Sequence, residues 1–72
     1  MRLYHVLLET RDHNYSFEVY TNDFDAVDYA RIALADIISP EAAETAHVGG
    51  CSRIGFDQNR TEPDVSYDGR TP

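Results

Sequence analysis

The 72-residue chain has no tryptophan, no lysine and a single cysteine, Cys51. One cysteine excludes an internal disulfide. A chain this short without a covalent staple points to a reducing compartment. The longest apolar run near the start, "LYHVLLE", is broken by His5 and closed by Glu9. It is too short for a signal peptide or a membrane span, so a cytoplasmic location is expected. Two N-x-S/T sequons, at Asn14 and Asn59, carry no meaning without secretion. Internal repeats and low-complexity segments are also absent.

Basic charge is scarce. Six arginines stand against 13 acidic residues, for a net charge of −7. An acidic surface repels nucleic acid and anionic membrane, which disfavours direct binding to either and favours a basic partner. The charge is uneven: residues 1–22 sum to −1, residues 23–46 to −5 and residues 47–72 to −1.

What remains is enough apolar material for one small domain. A chain of this size buries only about 60% of its unfolded surface, so every core residue counts. "LYHVLLET" (3–10) alternates Tyr4, Val6 and Leu8 against Leu3, His5 and Leu7, a strand apolar on both faces and therefore central. "RDHN" supplies a turn. "YSFEVYT" is a second strand, with Tyr15, Phe17 and Val19 inward and Ser16, Glu18 and Tyr20 outward. The two form a hairpin.

"NDFDAVDYARIALADII" predicts a helix over about 23–38, with Asn22 as N-cap and early aspartates suited to the helix dipole. At 100° per residue Phe24, Val27, Ala30, Leu34 and Ile38 share the inner face. Asp25, Asp28, Tyr29, Ile32 and Asp36 share the outer one. Ser39 as cap, Pro40 at the first position and Glu41 in the first turn predict a second short helix over 40–46. "HVGGCSRIGFD" reads as a third strand, with Gly49 and Gly50 marking a bulge and Val48, Cys51, Ile54 and Phe56 available for burial. The expected fold is α+β: a β-β-α-β domain over residues 1–58, with an antiparallel sheet and one main helix on one face. Residues 59–72 form a polar C-terminal segment in which "DVSY" can add a short edge strand.

The motifs of catalysis and ligand binding are incomplete. His5, His13, His47 and Cys51 lack the paired spacing of a zinc site. His47 can serve as base to a Cys51 nucleophile with Gly49 and Gly50 as oxyanion donors, but so small a domain seldom has room for a pocket. "DQNRTEPDVSYD" departs from a calcium loop at its sixth and last positions, and "VGGCSRIG" has no phosphate-binding lysine. No enzyme activity, metal or cofactor is expected.

The outer helical face is the strongest feature. Tyr29 and Ile32 lie among carboxylates, the composition of an anchor ringed by steering charge. Asp25, Asp28, Asp36, Glu41 and Glu44 form a row that an arginine-lined phosphate groove can accept, because arginine's fork matches both groups.

Small size, the β-β-α-β order and the acidic run "NDFDAVDYARIALADIISPEAAE" together resemble the small acidic anti-CRISPR proteins that phages encode against bacterial defence. The resemblance implies a non-enzymatic inhibitor in the bacterial cytoplasm. It would bind a basic, nucleic-acid-binding effector complex through Asp25, Asp28, Asp36, Glu41 and Glu44, with Tyr29 as anchor, some members of that class acting as DNA mimics. The alternative is a homo-oligomeric structural or accessory protein of phage or bacterial origin, its homodimer built on Leu3, Leu7 and Tyr20.

Overall fold

A computed structural model describes residues 1–71. The element order is β1 (Arg2–Glu9), β2 (Asn14–Thr21), α1 (Ala26–Ile37), α2 (Pro40–Thr45), β3 (His47–Phe56) and β4 (Asp64–Thr71). The strands form one antiparallel sheet in the order β3-β1-β2-β4, with both helices on one face. The α+β architecture expected from the sequence is therefore present, and "DVSYDGRT" extends the expected edge strand to a full eight residues.

The β1–β2 turn closes through Thr10, whose N–H donates to the His13 carbonyl at 2.9 Å while its hydroxyl accepts from the His13 N–H at 3.2 Å. Directly opposed residues of an antiparallel pair share a face, so Val6 with Phe17, Leu8 with Tyr15 and Tyr4 with Val19 form the rows beneath the helices. Val6, Leu8, Phe17 and Val19 are fully buried there, against Ala26, Ala30 and Leu34 of α1 and Ala43 of α2. The alanines let the helical layer approach the sheet closely. From β4, Val65 packs on this core and the Tyr67 ring lies 5.4 Å from the Phe17 ring.

Helix α1 starts later than its sequence suggests. Its N-cap is Asp25, not Asn22, and Asp23 lies outside the helix. The cause is Thr21, which is fully buried. Its hydroxyl accepts from the Asp23 N–H at 3.1 Å and donates to Asp25 Oδ1 at 3.0 Å, holding residues 21–25 as a bend. Phe24, expected inside, is carried to the outside of that bend and is fully exposed. Helix α2 begins as expected: Ser39 Oγ accepts from the Ala42 N–H at 3.1 Å, with Pro40 in the first turn.

Strand β3 departs most from expectation. Val48, Cys51, Ile54 and Phe56 are all exposed. The helical layer sits mainly over β1 and β2, so β3 is an edge strand left bare. It is two residues longer than β1 and takes up the difference in two bulges. Leu7 pairs with Gly50 and Leu8 with Val48, leaving Gly49 over; Leu3 pairs with Gly55 and Tyr4 with Arg53, leaving Ile54 over.

Candidate protein-binding surface

Arg31 is the only cation in residues 23–46. It is positioned one turn before the buried Leu34, on the side of α1 that meets α2. Its Nη1 donates to the carbonyls of Ala43 at 2.6 Å, Glu44 at 3.0 Å and Ala46 at 2.8 Å. The end of α2 leaves the Glu44 and Ala46 carbonyls without helical partners, while the Ala43 carbonyl also accepts the Ala46 N–H at 3.4 Å. The guanidinium thus closes the C-terminus of one helix with a side chain of the other.

That commitment decides the electrostatics of the helical layer. Asp28, Asp36, Glu41 and Glu44 are all exposed. Among the described residues, the side-chain ion pairs are those of Arg60 with Asp57 and Asp64, on the other side of the sheet. The four carboxylates of the helices have no cation bound to them. Asp28, Ile32 and Asp36 follow one another at intervals of four along α1, so the half-apolar ridge places Ile32, 66% exposed, between two aspartates. The outer aspartates are about 12 Å apart along the axis.

Beside this ridge lies a shallow depression of about 360 Å³ between α1 and α2, lined by Asp28, Arg31, Ile32, Ala35, Pro40, Ala43 and Glu44. Its floor is apolar and two carboxylates stand on its rim. Alanine at 35 and 43 makes the hollow, since larger side chains would fill it.

Two residues of the expected site are placed differently. Asp25 is half-buried and accepts from Thr21, so it caps the end of the row and does not extend it. Tyr29 is half-buried and packs against the core, flanking the ridge. Ile32, between Asp28 and Asp36, is the apolar side chain of the row left exposed. Sequence reasoning missed Ala35, Pro40 and Ala43, whose signal was their small or flat side chains at the contact of two short helices.

The other candidates do not converge. His47 pairs opposite Glu9 and Cys51 opposite Val6, so the two lie on opposite faces of the sheet and cannot act as base and nucleophile. Among the described residues, no three His, Cys, Asp or Glu side chains are gathered where one metal ion could be held. His13 and His47 both line an open cleft of about 710 Å³ at the hairpin end, with Glu9, Arg11 and Thr45. Leu3, Leu7 and Tyr20 are half-buried on the helix-free face, where the Arg60 guanidinium lies 4.0 Å over the Tyr20 ring. Among the described residues, no helix is long and apolar enough to cross a membrane.

No family model, no curated protein and no solved structure matches the chain.

Proposed function

We propose that this protein is a non-enzymatic inhibitor that binds a bacterial defence complex of the CRISPR–Cas type. Its acidic helical face occupies a surface that the complex uses for nucleic acid. One observation supports the reading: Asp28, Asp36 and Glu44 are exposed and unneutralised around Ile32, with Glu41 exposed on α2, while the sole arginine of the layer is spent on backbone carbonyls. Unpaired carboxylates speed the approach to a basic groove, and an apolar residue among them supplies the desolvated contact that charge alone does not.

The test is capture of purified effector complexes by the wild-type chain and by a variant carrying Asp28→Asn, Asp36→Asn and Glu44→Gln. Capture is expected to fall by at least tenfold in the variant and to weaken steeply with added salt. Equal capture by both proteins, or capture indifferent to salt, removes the acidic face from consideration.

A further inference from the structure

Strand β3 is unlike the rest of the surface. Its outer edge is unpaired over ten residues, "HVGGCSRIGF", and every residue but Gly55 is exposed. In a chain of net charge −7 it carries no acidic residue and one arginine, Arg53. The opposite edge, β4, holds Asp64, Asp68 and Arg70, charges of the kind that blunt an edge against pairing. β3 has no such defence beyond its two bulges.

The bulges also give the strand an internal symmetry. Val48, Cys51, Arg53 and Phe56 stand opposite Leu8, Val6, Tyr4 and Arg2, which places these four on the helix-bearing face. Gly50, Ser52 and Gly55 stand opposite Leu7, His5 and Leu3, on the open face. The helix-bearing set is symmetric about Ser52: 48 mirrors 56 and 51 mirrors 53; on the open side Gly50 and Gly55 mirror the bulge residues Ile54 and Gly49. A regular ten-residue strand would share this property trivially. Here two bulges each shift the alternation, and the four residues of the helix-bearing face still match one another in reverse.

We infer that β3 pairs antiparallel with β3 of a second copy of this chain, centred on Ser52 against Ser52, to give a continuous eight-stranded sheet. In that register Val48 of each copy meets Phe56 of the other on the helix-bearing face, joining side chains that are 46% and 59% exposed in the single chain. Gly49 meets Gly55 and Gly50 meets Ile54, so each of these pairs sets a glycine against its partner residue. Arg53, whose guanidinium lies 5.9 Å over its own Phe56 ring, meets Cys51 and no like charge. A second copy fits better than an unrelated strand, because the match depends on the strand's own residues read in reverse. Cα atoms of the two Cys51 residues are then diagonal neighbours, roughly 7–8 Å apart and too far for an unstrained disulfide. The acidic ridge on α1 stays exposed, so loss of the dimer and loss of effector binding are separable.

Light scattering on the full chain is expected to give twice the 8.2 kDa chain mass, falling towards one on dilution. Ser52→Lys places like charges directly opposite and is expected to weaken the dimer at least tenfold, as is Ser52→Glu; mixing the two variants restores it. A monomer up to the solubility limit overturns the pairing. So does a dimer that neither charge variant weakens. Should the charged variants fail to fold, Ser52→Cys in a Cys51→Ser background decides the register. Mild oxidation is expected to link it into disulfide dimers much faster than the wild type, whose Cys51 pair is too widely spaced, and equal or slower linkage overturns a Ser52-centred interface.

Discussion

The Arg31 guanidinium donates to the Ala43 carbonyl at 2.6 Å, across from one helix to the other. With Glu44 and Ala46 it collects three carbonyls at the end of a six-residue helix that could not persist alone. Arg31→Met keeps the aliphatic stem and removes the donors. It is expected to cost about 2 kcal/mol, roughly a 10 °C fall in Tm for a domain of this size. Unchanged thermal unfolding with full helical circular dichroism would show that α2 does not depend on this residue.

Ile32 separates binding from folding. At 66% exposure its replacement by alanine should change stability by less than about 0.5 kcal/mol. Its loss from the centre of a carboxylate-ringed contact should weaken effector capture at least tenfold. Parallel denaturation and binding titrations check this. A stability loss with intact binding would assign Ile32 to packing.

Phe17 and Phe24 make a matched contrast, since the hydrophobic pattern places both inside. Phe17 is fully buried under α1 and β4, whereas Phe24 is fully exposed on the bend before α1. Phe17→Ala is expected to cost about 3–5 kcal/mol, enough to unfold much of a marginal small domain. Phe24→Ser should leave the urea midpoint nearly unchanged. A large effect at Phe24 would mean that its ring packs in solution.

Thr21 carries the start of α1. Thr21→Val preserves shape and deletes the hydroxyl that serves Asp23 and Asp25. The expected cost is about 1–2 kcal/mol, with faster amide exchange in the first turn of α1 and little change in β1. Uniform loss of protection through the sheet would place the hydroxyl's role in the core and not in the helix start.

Most of the fold is written in short-range patterns. Alternation in Tyr15–Val19 and Tyr4–Leu8, the Ser39-Pro40-Glu41 start and the Ala30–Leu34 stripe each report a local period, and each element stands where its pattern puts it. Exceptions occur where a distant contact outweighs the pattern. Asn22 is a suitable cap, yet Thr21 is drawn into the core and its hydroxyl takes over the local backbone. Of the expected surface, Asp28, Ile32, Asp36, Glu41 and Glu44 are exposed, while Asp25 and Tyr29 are held by neighbours that no helical wheel includes.

Amino-acid order alone determined the sheet, the two helices and the concentration of negative charge on them, because periodicity, capping and charge are local properties. Only tertiary structure decided that the apolar residues of β3 and Phe24 stay exposed while those of β2 and the Ala30–Leu34 stripe are buried. Strand β3 has the composition of a core strand, but the helical layer is too narrow to cover four strands and sits over β1 and β2. Tertiary structure also decided that the carboxylates stand unneutralised, since Arg31 finds its partners 12 to 15 residues away in the carbonyls of α2. Burial and pairing depend on what the rest of the chain brings alongside, and no single segment contains that information.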